Sequence, residues 1–139
     1  MTINTTPNFT TTPNNAPVAI PATADTSRTS PSNVTKVLTG GTNGTLVEAL
    51  SFIATGTTTA GMLRIFHRIA NSGTYFLIGE VPVSAVTPSG TVQCWTGVWV
   101  PPGNQASPPG SWVLPATDAL YVTTHNAEAF DCSPSAGDF

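Results

Sequence analysis

The chain has 139 residues, of which 8% are charged, and a formal net charge of −3. One domain with a two-layer core is the expectation at this length. Four cations, Arg28, Lys36, Arg64 and Arg68, are too few to neutralise a phosphate backbone or to build a basic membrane-surface helix. No stretch approaches the roughly 18 continuous apolar residues of a membrane span, so neither nucleic acid nor membrane is an expected partner.

A surface solvated by Thr, Ser, Asn and Gly in place of charge is poorly defended against association. We therefore expect a subunit that packs against copies of itself or against other proteins. The first residues, Met1-Thr2-Ile3-Asn4, have neither the basic nor the apolar region of a secretion signal. The Asn-x-Ser/Thr triplets at Asn4, Asn8, Asn33 and Asn43 accordingly read as products of composition.

Residues 1–31 read as an extended Thr/Asn/Pro-rich arm. Pro7, Pro13, Pro17, Pro21 and Pro31 remove donors and forbid helix, and no hydrophobic period runs through the segment. Such a stretch does not fold on its own burial. It is expected to be disordered alone and to order along a neighbour, with Ile3, Phe9, Val18 and Ile20 as anchors.

From residue 32 to 139 short β-branched and aromatic runs alternate with Gly, Pro, Asn and Ser, the pattern of strands and turns. Strands are expected near 33–39, 45–54, 61–70, 74–83, 90–100, 111–114, 118–125 and 127–132. In 61–70, Leu63, Ile65, His67 and Ile69 share one face, and Arg64, Phe66 and Arg68 the other. In 90–100, Val92, Cys94, Thr96, Val98 and Val100 face one way, and Gln93, Trp95, Gly97 and Trp99 the other. Apolar bulk on both faces predicts a central, doubly covered strand or one facing a partner. The proline-dense loop 101–110 is excluded from a sheet interior. About eight strands with no helix predict an all-β fold, a β-sandwich and more narrowly a jelly roll.

The chemistry-bearing residues are sparse. His67 and His125 lack metal-ligand spacing to Cys, Asp or Glu, and no Gly-x-Ser-x-Gly elbow is present. Asp118, Glu128 and Asp131 gather with His125 near the C-terminal end, but read as turn and loop residues more naturally than as paired carboxylates. Cys94 and Cys132 are expected to be free thiols. Trp95, Trp99 and Trp112 read as core and subunit-interface residues, with a sugar-stacking platform as the alternative. The expectation is a non-enzyme without catalytic residues, cofactor or metal, whose candidate residues are the interface set Ile3, Phe9, Val18, Ile20, Trp95, Trp99 and Trp112.

Several segments carry a resemblance. They are Ala54-Thr55-Gly56-Thr57-Thr58-Thr59-Ala60-Gly61-Met62-Leu63-Arg64-Ile65-Phe66, then Glu80-Val81-Pro82-Val83, Pro88-Ser89-Gly90-Thr91 and Leu114-Pro115. Val122-Thr123-Thr124-His125-Asn126-Ala127-Glu128-Ala129-Phe130 and the terminal Gly137-Asp138-Phe139 complete the set. Over about residues 33–139 the chain resembles a group of small virion-associated proteins of tailed bacteriophages and prophages; the arm lies outside the resemblance. What the resemblance implies is a virion structural protein, best matched in size and composition by a capsid cement (decoration) protein. Its implied location is the capsid surface after synthesis in the bacterial cytoplasm, and its implied partners are the major capsid protein and itself. A homotrimer is expected by analogy with the local three-fold positions of capsid lattices. A tail, baseplate or fibre component and a carbohydrate-binding surface module are the alternatives.

Overall fold

The computed structural model describes residues 9–70, 72–102 and 112–139. Ten strands and no helix occur among them: β1 (Thr12–Pro13), β2 (Val18–Ile20), β3 (Thr35–Thr39), β4 (Thr45–Ala54), β5 (Gly61–Arg68), β6 (Tyr75–Val83), β7 (Thr96–Trp99), β8 (Trp112–Leu114), β9 (Ala119–Thr124) and β10 (Phe130–Asp138). They form two antiparallel sheets. The first has the order β1-β10-β4-β7, with β2 also on β10 and β8 also on β4. The second has the order β3-β9-β5-β6. The sheets pack face to face in a β-sandwich-like arrangement around one core, which includes Val47, Leu50 and Phe52 of the first sheet and Leu63, Ile65, Leu120 and Val122 of the second.

Burial along β4 follows from its composition. Leu50, Phe52 and Ala54 point inward at every second position, while Ser51 and Ile53 point out, the alternation a pleated strand imposes. Glu48 breaks the register. Ser135 pairs with Ala49 and Ala136 with Val47, so Glu48 is the extra residue of a bulge, exposed and bonded from the Ser135 hydroxyl at 3.2 Å. A bulge re-aims a charged side chain away from a core face at the cost of one ladder pairing.

Two core indoles explain two strand glycines, and one of them, Trp99, reaches from the first sheet to the second. A Cβ built on Gly79 of β6 falls 2.1 Å from Trp99 Nε1 of β7, and one built on Gly97 falls 2.5 Å from the Trp95 ring. Glycine inside a strand marks such close approaches. Trp95 also meets Phe130 edge to face, with centroids 5.7 Å apart.

Three sequence expectations are corrected. The run 90–100 is neither central nor fully a strand. Only Thr96–Trp99 pairs, and it pairs with β4 alone, at the margin of the first sheet. Trp95 and Trp99 fill the core while Val98 and Val100 face out. The last strand runs on to Asp138 rather than ending at 132. Pro134 and Gly137 disguise it, because proline normally excludes itself from a ladder. Pro134 is accommodated because β2 covers only Phe130–Cys132 and β1 only Gly137–Asp138 on that edge, so no ladder partner there needs its N–H.

The third correction concerns the arm. Over its described part it lies on its own domain: β1 and β2 pair with β10, and Ile20 enters the core. Residues 21–34 then cross to the second sheet, where Asp25 N–H donates to Thr124 O at 2.8 Å. The sheet's own polar positions supply the physical reason. Arg64 on the outer face of β5 needs a cover that can hydrogen-bond, and the crossing supplies it through Asp25 O, while the neighbouring Thr123 hydroxyl is buried there without a partner among the described residues. Ile3 lies outside the described residues.

A strained turn precedes β9. Asp118 N–H donates to Pro115 O at 3.2 Å, closing a turn in which Thr117 takes φ +67°. A β-branched residue in the left-handed region carries about 1–2 kcal/mol of strain. Thr117→Gly is therefore expected to raise stability by about 1 kcal/mol, read as a higher urea midpoint at unchanged slope; no gain would show that the Thr117 hydroxyl contributes as much as the strain costs.

Candidate functional site

Three groupings outside the main core carry polar or exposed chemistry. The first is the covered outer face of the second sheet. The Arg64 side chain is 3% exposed. Its Nε donates to Glu80 Oε1 at 3.2 Å, its Nη1 to Asp25 O at 3.4 Å, and its Nη2 lies 3.3 Å from His125 Nδ1. A guanidinium can only donate, so Nδ1 is the accepting nitrogen of His125. Glu80 also accepts from the exposed Arg28 at 2.7 Å. Arg28 and Asp25 both belong to the crossing segment, so the cluster fastens that segment to the sheet. Beside it Phe66 is fully buried and meets Tyr75 edge to face; Tyr75 meets Tyr121 in the same way, and Arg68 lies over Tyr75 at 5.3 Å.

Asp25 is the knot of the crossing. Its carboxylate accepts N–H groups of Ser27, Ser32 and Asn33 at 2.9, 2.6 and 2.8 Å. Burial pushes its pKa up, and the backbone bonds from Asn33, Ser27 and Ser32 with the Ser32 hydroxyl outweigh that, leaving it below 3.8. A carboxylate lowered by folding adds stability that is complete above its ordinary pKa and disappears as pH falls through the folded value. Asp25→Ala is thus expected to cost about 2 kcal/mol at pH 7, and the difference from the unsubstituted protein should shrink as the pH falls below the ordinary carboxylate range. Chemical denaturation across pH measures this; a difference that does not narrow as the carboxylate is protonated would show its charge to be irrelevant.

The second grouping is His67, Asp118 and Trp112. His67 Nε2 lies 2.8 Å from Asp118 Oδ2, while Asp118 Oδ1 accepts Ala70 N–H at 2.9 Å. The Trp112 ring meets His67 edge to face at 5.1 Å. Asp118 therefore ties the end of β5 to the start of β9. The structure does not bring Asp118, His125 and Asp131 together: Asp118 holds His67, His125 faces Arg64, and Asp131 is exposed on β10. Glu128 caps the turn after β4, accepting the Thr59 N–H and hydroxyl at 2.7 and 2.6 Å. Among the described residues no three His, Cys, Asp or Glu side chains are grouped as metal ligands. Both cysteines are free; Cys132 lies in the core, where burial pushes its thiol up to about 12.

The third grouping is the outer face of the first sheet along β4, β7 and β8. Ser51 pairs with Val98, Ile53 with Thr96 and Leu46 with Val113. Ile53, Val100 and Val113 are about half exposed and Val98 is 57% exposed. Two carboxylates share this face: exposed Asp131 is the cross-strand partner of Ile53, and the bulged, exposed Glu48 stands on β4 between Leu46 and Ser51. The strand beside this face, β7, offers a backbone edge with no ladder partner among the described residues, and it bears neither the charge nor the proline that usually guards an edge.

The interface set expected from sequence is divided by this geometry. Ile20, Trp95 and Trp99 belong to the core, and Val18 and Trp112 pack partly against it. Phe9 is exposed. Ile53, Val98, Val100 and Val113 were not singled out for a surface, although the alternation of 90–100 already set the valines opposite the tryptophans. No protein family, curated protein or solved structure matches the chain.

Proposed function

We propose that the chain is a structural subunit of a tailed-bacteriophage virion, a capsid cement protein that binds the head shell as a homotrimer and stabilises it beside the major capsid protein. The observation that carries this reading is the set of exposed apolar side chains on the outer face of the first sheet, Ile53, Val98, Val100 and Val113, beside an unguarded edge. A group of exposed apolar side chains on one sheet face marks a partner surface, and a closed cyclic assembly buries it without open ends. The neutral Thr/Ser-rich remainder of the surface suits a chain that stays assembled.

The strand order supports the narrower reading as an eight-stranded jelly roll. β1 and β2 share one edge of β10, and β7 and β8 share the free edge of β4, so each pair counts as one broken strand. The sheets then alternate as the two interleaved four-stranded sheets of a double Greek key. Such a subunit stabilises by mass action, binding the assembled shell and not its parts.

The test is stoichiometry against the major capsid protein in purified particles, together with heat resistance of particles that lack the chain. Hundreds of copies and earlier rupture on heating are expected. A handful of copies with altered tails and unchanged heads would assign the chain to the tail or baseplate instead. A glycan-binding role is less well supported, because Trp95 and Trp99 are buried and offer no stacking platform.

A further inference from the structure

We infer that β1–β2 is an exchangeable strand: the edge of β10 that holds residues 12–20 of its own chain accepts the same residues from a second copy. This rests on the geometry of β1, β2 and β10 alone and not on the virion assignment.

Three observations carry it. The segment is held lightly. Its ladder is broken into Thr12–Pro13 and Val18–Ile20, and of these five residues only Ile20 is fully buried. Its contacts are also of one kind. Thr11 N–H donates to Asp138 O at 2.7 Å, Asn14 N–H to Ala136 O at 3.0 Å, and Asn14 Nδ2 to Asp138 Oδ1 and Thr39 O at 2.9 and 3.0 Å. Every acceptor belongs to the body of the domain, so the same bonds form whichever chain supplies the strand.

The third observation is the hinge. Asp25 is fixed to Thr124, and Thr23 O accepts the Thr124 hydroxyl at 3.1 Å. Between that anchor and β2 the chain passes through a single three-residue turn, Thr23 N–H donating to Pro21 O at 2.8 Å. Short hinges held in tight turns favour exchange, because extension relieves the turn while the strand's contacts are kept. Proline at 21 prefers the extended form. Unfolded, residues 21–23 span about 10 Å and residues 12–20 about 30 Å, enough to reach the β10 of an adjacent copy. High local concentration then drives the exchange.

The test uses the full chain with Cys94→Ser, Ala19→Cys and Asp131→Cys. Ala19 and Asp131 are register partners and both exposed, and the native Cys132 thiol is buried. The purified protein is equilibrated at micromolar and near-millimolar concentration, oxidised with diamide, and run on a denaturing non-reducing gel. A closed strand links within one chain and migrates as a monomer; an exchanged strand links different chains and gives covalent dimers and higher species. We expect the monomer band at low concentration and a majority of linked chains at high concentration. Monomer bands at every concentration overturn the inference, as does the absence of any link. Four residues, Gly-Ser-Gly-Ser, inserted between Ala22 and Thr23 should return the high-concentration sample to the monomer band, and linked chains persisting there would overturn the role of the tight hinge. Because no particle is involved, failure here leaves the shell assignment standing, and failure of that assignment leaves this result standing.

Discussion

Gly79→Ala should destabilise the protein by about 3 kcal/mol, although it adds a single methyl group to a strand where alanine is ordinarily the better residue. The methyl has nowhere to go. Its carbon would lie 2.1 Å from Trp99 Nε1 and within 2.8 Å of two further indole atoms, well inside van der Waals contact. Trp99 is a core residue, so the ring cannot swing aside into water without opening a cavity. Overpacking of this kind costs about 1–3 kcal/mol, occasionally more, and the strand-forming advantage of alanine recovers at most about 1 kcal/mol. Trp99→Ala alone should cost about 3–5 kcal/mol through the cavity left behind. The two should not add: in Trp99→Leu the space above residue 79 opens, and Gly79→Ala made in that background should cost less than about 1 kcal/mol. Urea denaturation of the four proteins closes the cycle. Additive losses would mean that the indole and the glycine do not limit one another.

The second large effect is expected on self-association. Ile53→Asp and Val98→Asp place carboxylates on the exposed face of the first sheet, where neither side chain contributes to the core. Thermal stability at low concentration should change by less than about 1 kcal/mol, as for ordinary surface substitutions. If the face is buried between copies, each charge enters a desolvated position and meets its symmetry mates. A central interface residue so disturbed costs about 2 kcal/mol or more, close to 30-fold in the dissociation constant. The pair together should convert the assembly to monomer at micromolar concentration, as read by light scattering or native mass measurement. An unchanged assembly would move the interface off this face. A further control is Thr57→Asp, exposed on the turn after β4, which should leave association untouched.

The two-sheet fold was legible because its signals are local. β4 coincides with the predicted run 45–54, and β3, β5, β6, β8 and β9 fall within one to three residues of their predicted ends. Each is a β-branched or aromatic run bounded by turn residues, and such punctuation needs no tertiary knowledge. What escaped depends on contacts between distant parts. The broken strands β1 and β2 have no period of their own and exist because β10 offers an edge. β10 was cut short at 132 because the tolerance of Pro134 depends on a gap in that same pairing. Alternation sets Arg64 on the face of β5 shared with Phe66 and Arg68, and it holds; that the crossing residues 21–34 turn this outer face into an interior is not visible in the strand's own pattern. For the candidate face the valines were visible as one side of a run, but their side of the sheet was not. Deciding it required knowing that Gly79 and Gly97 make room for the tryptophans.

The placement of β10 also sets the order in which this protein can be made. It lies between β2 and β4 and anchors β1, yet it is the last of the ten strands to leave the ribosome. Until then β4 lacks one neighbour, and β1 and β2 lack the strand they pair with among the described residues. The second sheet, whose strands lie between residues 35 and 124, can pair earlier, but its partner layer cannot. The closing pair, Thr12 with Asp138, joins residues near opposite ends of the chain, the most costly loop to close and therefore a late event. At about 5–20 residues per second, the nascent chain carries unpaired strand edges for several seconds, and its sparse charge gives little protection during that interval. Fast, crowded synthesis should therefore favour aggregation, and slower synthesis at lower temperature should raise the soluble yield.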